Sequence, residues 1–274
     1  MAGPLAQWSA FLKPDLPLNW LQPEWPAPAH VRAVMTDRHG GVSPAPYDSM
    51  NLGDHVGDLL ANVQRNRAVL QAALGRRPVF LQQVHGVETL TLDADMPGGL
   101  PADACMATTS DVACTIMVAD CLPVLLCDTA GRWVAGAHAG WRGLAGQGGQ
   151  GVLETLVSSL PRGQSEGADI LAWLGPCIGP LAFEVGPEVR AAFCETDAQA
   201  SQLFVPQADG KFLADLAGLA RQRLHRMGVT QIFGNDGQST WCTVTQASRF
   251  YSHRRDSRLF GQSGRMAACI WLER

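Results

Sequence analysis

The stretch Thr115–Gly143, TIMVADCLPVLLCDTAGRWVAGAHAGWRG, constrains the fold more than any other part of the chain. It contains three apolar runs, Thr115–Val118, Pro123–Cys127 and Trp133–Ala137, whose length reads as core strand. Core strands hold side chains rigidly at their ends, which is where α/β proteins place chemistry. Cys121 lies between the first two runs, in Ala119-Asp120-Cys121. His138 follows the third, in His138-Ala139-Gly140-Trp141-Arg142-Gly143, where a helix is expected to begin. The stretch reads as the floor of a metal site.

Composition narrows the class of protein that surrounds this floor. Apolar residues make up 46% of the 274 and charged residues 17%, enough for a sizeable core and too apolar for disorder. A net charge of −4 provides no basic field for nucleic acid. The N-terminus lacks the basic and apolar regions of a signal peptide, and no apolar run approaches the ~20 residues that cross a bilayer. A cytoplasmic protein is the expectation, with neither nucleic-acid nor membrane partners. The eight cysteines contain no CxxC pair and mostly lie in apolar runs, where they read as small buried hydrophobes in a reducing compartment.

Taken in order, residues 1–30 are rich in Pro and Trp and predict an irregular lead-in that packs by its tryptophans. Val31–Thr36 reads as the first strand, and the Gly-, Asp- and Asn-rich segment that follows, including Asn51 and His55, as a long functional loop. Asp58 is placed to cap a helix over LLANVQRNRAVLQAAL, closed by Gly75. Strands are expected at Val79–Val84 and Val87–Leu92, and loop over residues 93–111. A helix should run from Gly140 to about Leu160, with glycines distorting its first turns or replacing them by loop. Further elements are a strand at Asp169–Leu174, a short helix from Pro187 through Phe193, a helix at Asp215–Met227, and strands at Val229–Phe233 and Met266–Leu272. No linker divides residues 31–274, so one domain of mixed α/β layers is expected there.

Cys121 and His138 both end predicted strands, and His85, just after another and beside Gly86, would complete a set of three. Catalytic zinc takes three protein ligands and leaves a position for water, whose pKa it lowers to about 7. The spacings match no short zinc signature; the shared context, strand end then small residue, carries the suggestion. Two other uses of these residues stand beside it. Two His, a Cys and a weak methionine, Met106 or Met117, would make a blue-copper site. Alternatively, Cys121 is a thiolate nucleophile with His85 or His138 as its base. Arg142, at a presumed helix N-terminus, suits a phosphate or carboxylate, or else a surface ion pair. Arg254 and Arg255 read as a solvated loop unless that loop folds over the cleft.

DRHGGVS, PYDSMNLGDHVGD, QQVHG, VADCLPVLL, AHAGWRG, GPCIGP, FEVG, SHRRD and SGRMA, in this order from about residue 31 to the C-terminus, resemble the YfiH-like family of laccase-domain, polyphenol-oxidase-like proteins. The resemblance implies a layered, mixed-sheet α/β/β/α-type fold related to a cytotoxic deamidase toxin. It implies a metal site, usually zinc with copper as the alternative, on His85, Cys121 and His138. It also implies phosphorolysis of adenosine, inosine, guanosine and methylthioadenosine, with deamination of adenosine as a side activity; purine nucleosides and phosphate would be the partners. Arg142 is the candidate for phosphate by its placement, not by the resemblance. The chain departs from the family in a longer Gly/Gln-rich entry after HAGWRG and in LLAN after HVGD.

Three rivals remain. A copper-dependent, laccase-like oxidase is the first, although a blue-copper site plus a trinuclear cluster needs more histidines than the seven present. The second is a Cys/His amide hydrolase acting on peptidoglycan precursors, and the third a regulatory protein with a structural zinc. The expectation carried forward is a zinc-dependent purine nucleoside phosphorylase.

Overall fold

Val112–Val118 and Leu122–Asp128 are buried at every position, as strands covered on both faces must be. The computed structural model, which describes residues 20–161 and 169–273, accounts for that burial with two stacked sheets. The first half of the chain forms β1 (Val31–Met35), α1 (Leu60–Leu74), β2 (Arg77–Phe80), β3 (Thr89–Leu92), β4 (Ala104–Ala107), β5 (Val112–Val118), β6 (Leu122–Asp128) and β7 (Val134–Ala139). Next come α2 (Trp141–Ala145), α3 (Val152–Ser159), β8 (Ile170–Leu174), β9 (Glu184–Val185), α4 (Pro187–Cys194), β10 (Phe204–Pro206) and β11 (Phe212–Ala214). Then α5 (Leu216–Arg226), β12 (Gln231–Gly234), α6 (His253–Phe260) and β13 (Met266–Leu272) complete the order.

One sheet has the order β1-β13-β5-β2 and the other β12-β8-β6-β7-β4-β3, both mixed in direction; β10-β11-β9 is a small third sheet. The two-residue period of each strand divides its side chains between layers. Cys114, Ile116 and Val118 of β5 meet Leu125 and Cys127 of β6 between the sheets. Ala113 and Met117 face the other way, under Leu70 and Leu74 of α1. Leu122, Val124 and Leu126 pack against Leu153 and Leu156 of α3 and Leu219 and Leu224 of α5. The result is the α/β/β/α layering that the resemblance implies.

Several elements differ from the sequence reading. Residues 93–111 are not all loop, because β4 pairs in register with both β3 and β7. The helix expected from Gly140 to Leu160 is two pieces: α2 stops at Gly146, whose φ of 62° only glycine adopts freely, and α3 starts after Gly151. Within the lead-in, residues 1–19 lie outside the described residues, while Trp20 is buried under the first sheet. Arg254 and Arg255 belong to α6, capped by Ser252, whose Oγ accepts from Arg255 N at 3.2 Å. No helix among the described residues is long and apolar enough to cross a membrane.

Asp58 does not cap α1; Leu59 stands at the N-cap without a side-chain bond. The Asp58 carboxylate instead accepts from Ser43 Oγ (2.6 Å) and Asn51 Nδ2 (2.9 Å), tying the long loop to itself. Asn66, fully buried on α1, completes that tie. Its Nδ2 donates to Asn51 O (2.8 Å) and Ser43 Oγ (2.9 Å), and its Oδ1 accepts from Val42 N (2.9 Å). Removing this amide strands the Val42 N–H and the Asn51 carbonyl, each at about 1–3 kcal/mol. Asn66→Ala is therefore expected to lower the urea unfolding midpoint by about 2–3 kcal/mol in stability at unchanged m value, and a midpoint equal to wild type would refute the hub role.

Candidate metal centre

Two turns and the last residues of β7 bring His85, Cys121 and His138 together. Their ligand atoms lie within 4.8 Å of one another, and the two imidazole rings meet edge to face. Cys121 Sγ is 3.7 Å from His85 Nε2, close to the ligand–ligand spacing around a tetrahedral ion with bonds of about 2.0–2.3 Å. His138 lies within β7 as its penultimate residue, not after the strand. Gly140 makes the approach possible: a Cβ there would sit 2.7 Å from His85 Cδ2 and 3.0 Å from Cys121 Sγ. A Cβ on Gly143 would meet the Gly86 carbonyl at 2.6 Å. The glycines of HAGWRG are thus spaces into which the His85-Gly86 turn fits.

Asp103, fully buried at the start of β4, organises the set. Its Oδ1 accepts from His138 Nδ1 (2.8 Å) and His85 N (2.9 Å); its Oδ2 accepts from Gly86 N (2.7 Å) and Val84 N (3.1 Å). A carboxylate can only accept here, so His138 carries its proton on Nδ1 and turns Nε2 towards Cys121. Burial alone would raise the Asp103 pKa, but the hydrogen bond and charge of His138 and the Gly86 and Val84 amides outweigh it and hold the group below the usual carboxylate value. His85 adopts a left-handed backbone (φ 61°), kept in place by these bonds. Sequence reasoning passed over Asp103 because it placed residues 93–111 in a loop. The signal available was an acid immediately before the apolar run Ala104–Ala107.

Asp120 does for Cys121 what Asp103 does for the histidines. It too is left-handed (φ 88°), and its carboxylate accepts from Thr243 Oγ1 (2.5 Å) and from Arg254 N in the first turn of α6 (2.6 Å). Cys121 is opposed in ionising by burial, but the charge of His138 and hydrogen bonds from His138 and His85 draw its pKa down to about 6. Burial lowers the His138 pKa, yet the Cys121 thiolate and Asp103 push it up to about 9. Between those values the pair is a thiolate and an imidazolium, so a cation binding there displaces the proton on His138 Nε2. Two nitrogens and one thiolate, oriented by a buried carboxylate, could hold a metal ion and leave a side open.

The other residues singled out in the sequence are dispersed. Arg142 is exposed in the first turn of α2, its guanidinium stacked 4.4 Å over the Trp141 ring. Met106 packs in the layer of α3 and Met117 in that of α1, so the sulfurs suggested for blue copper lie in opposite outer layers. Asn51 is a loop brace whose Oδ1 accepts from Gly53 N and Arg265 N. His55 lies exposed on the same loop, 3.5 Å from Asp54. Arg255 clamps Asp256 and the carbonyls of Thr243, Val244 and Phe250, and Arg254 binds those of Ala182 and Glu184.

Residues 32–273 match the family model described as "Multi-copper polyphenol oxidoreductase laccase". The chain belongs to this family. A purine nucleoside phosphorylase of Pseudomonas aeruginosa is 52% identical over 255 residues, covering 93% of this chain and 98% of the relative. Escherichia coli YfiH, also named a purine nucleoside phosphorylase, is 50% identical over 252 residues, 91% of this chain and 97% of the relative. Among solved structures, a Neisseria meningitidis protein superimposes with a TM-score of 0.85 at 44% identity, covering 93% of this chain and 100% of its own. Bacillus licheniformis YfiH does so with a TM-score of 0.80 at 30% identity, covering 89% and 93%.

Two outcomes test the centre. Asp103→Asn, which keeps the shape and loses the charge, is expected to weaken metal binding about 10–100-fold by competition with a chelator, as loss of such an orienting carboxylate does. Unchanged affinity would remove Asp103 from the site. In chelator-treated protein, alkylation of Cys121 by iodoacetamide, read by peptide mass spectrometry, should rise with pH through about 6, because the thiolate is the nucleophile. A rise only above the usual thiol value of about 8.5 would contradict the pairing with His138.

Proposed function

We propose that this chain is a purine nucleoside phosphorylase that depends on a zinc ion held by His85, Cys121 and His138, with deamination of adenosine as a side activity. What supports this reading is the meeting of those three side chains in one open site, together with relatives at 50% and 52% identity that carry the phosphorylase name. Zinc suits a mixed nitrogen and thiolate set with no fourth protein ligand among the described residues. When bound, the ion supplies a Lewis acid and a water of lowered pKa.

The chain's own residues have separate tasks. Asp103 keeps His138 in one tautomer and the His85 turn in one shape, so no reorganisation accompanies binding. Asp120 fixes the Cys121 turn against Thr243 and the start of α6. Arg142, exposed at the rim beside Gly140 and Gly143, draws phosphate towards the mouth. In phosphorolysis a phosphate oxygen bonds to C1′ as the C1′–N9 bond breaks. The purine leaves with the bonding pair, and the proton of the hydrogen phosphate ends on the base.

Copper-dependent phenol oxidation is the second reading, and the family's description favours it. A trinuclear copper cluster would need further converging histidines. Among the described residues only one group of three potential ligands converges, while His30 and His39 bond backbone carbonyls elsewhere.

Incubating the zinc-loaded protein with adenosine, with and without phosphate, and separating the products by chromatography tests the proposal. Adenine is expected only with phosphate, and inosine in both. Cys121→Ser should reduce both products at least 100-fold, in line with loss of a metal ligand. Neither product from protein of verified zinc content would overturn the reading.

A further inference from the structure

Phosphorolysis needs a fixed seat for an anion, and Arg142, exposed and stacked on Trp141, is not held in one. A different arginine is. Arg265 lies just before β13, where its backbone is locked to the long loop in both directions: its N donates to Asn51 Oδ1 (2.9 Å) and its O accepts from Leu52 N (3.0 Å). Its side-chain stem lies directly on the Gly53 backbone, so close that a Cβ on Gly53 would come within 2.7 Å of Arg265 Cγ. Nη1 is occupied, donating to the carbonyls of Ser263 (2.8 Å) and Gly264 (3.1 Å). The side chain is thus anchored at its backbone, its stem and one nitrogen.

What remains of the guanidinium is unengaged. Among the described residues Arg265 forms no ion pair, and Nε and Nη2 make no hydrogen bond; nor do they appear among the buried polar atoms that lack a partner, so both stay open to solvent. Strand register marks its position. Met266, the next residue, pairs with Val118 of β5, three residues before Cys121, so Arg265 lies against the Asp120-Cys121 turn, and its charge is felt by both of those groups. His253 begins α6, whose next amide is held 2.6 Å from the carboxylate of Asp120, the neighbour of Cys121. The acid groups nearby are already engaged: Asp120 by Thr243 and α6, Asp54 by Arg67. A partly buried cation without an acid partner, fixed beside a metal centre and presenting free N–H groups, is a receptor for an oxyanion.

We propose that Arg265 forms the orthophosphate subsite of the metal centre, its Nε and Nη2 holding the phosphate whose oxygen attacks C1′. The inference rests on the phosphorylase reading and assigns its second substrate to a residue. Arg142 serves only to draw the anion in.

The test uses the full-length zinc-loaded protein with Arg265→Lys, Arg265→Gln and Arg142→Ala, with zinc content measured for each. Phosphate binding is followed by calorimetry, and KM for phosphate and kcat are measured with adenosine. Arg265→Gln should weaken phosphate binding and raise its KM about 10–100-fold, the span of lost charge-assisted hydrogen bonds, with zinc retained. Arg265→Lys, which keeps the charge but not the fork, should fall between it and wild type. Arg142→Ala should have the smaller effect, and that effect should fade with added salt. Phosphate binding unchanged in both Arg265 variants would overturn the assignment, as would the larger loss appearing in Arg142→Ala. Wild type that makes no adenine yet binds phosphate through Arg265 would refute the phosphorylase reading and leave the anion subsite standing. Wild type that binds no phosphate would refute the subsite.

Discussion

A single buried carboxylate holds the centre of this protein together. Asp103 accepts from the backbone at Val84, His85 and Gly86 and from the His138 ring, while its own carbonyl accepts from His138 N at 2.7 Å. Leaving such a charge unpaired in the interior would cost several kcal/mol, so these partners are a condition of folding as well as a feature of the site. The same contacts close the strand ladder at the β4–β7 edge and select the His138 tautomer. Stability and ligand geometry are therefore one set of hydrogen bonds.

Around that carboxylate two of the turns that carry the site take an uncommon backbone conformation. His85 and Asp120 are left-handed, and each is held by a carboxylate bonded across the chain, Asp103 for the first and Asp120's own for the second. Gly140 and Gly143 contribute by what they lack, since a side chain on either would displace His85, Cys121 or Gly86. The two stacked sheets resist relaxation because their strands are buried on both faces. A rigid floor of this kind presents two nitrogens and a sulfur without reorganisation. The rim, in contrast, is assembled from the long loop, α2 and α6, whose residues come from distant parts of the chain.

How much of this was legible in the sequence depended on how local each cause was. β13 matches its expected bounds at Met266–Leu272, and α5 falls within the helix expected at Asp215–Met227, with Asp215 as its cap rather than its first turn. α6 escaped because it is a short, charged helix with one buried residue and hence no apolar stripe, although Ser252 with Asp256 four residues on is a start signal. β4 escaped because four apolar residues between Pro, Gly and Asp are too few for periodicity to register. Its role is fixed by neighbours on either side, not by its own composition. Asp58 was read as a cap from its place before a helix, and became a loop brace because Ser43 and Asn51 reach it first.

By itself the sequence determined the apolar core strands, the turns that end them, and the chemistry of His85, Cys121 and His138, since residue type and strand context are local properties of a chain. Which atoms converge was decided only by the tertiary structure. Stacked sheets and their crossovers set distances between residues tens of positions apart, and that placed Asp103 behind the histidines and Asp120 behind the cysteine. The same long-range packing set Arg265 against Gly53 and left Arg142 on the surface. Spacing along the chain holds no record of those distances, because they arise from burial that every layer shares.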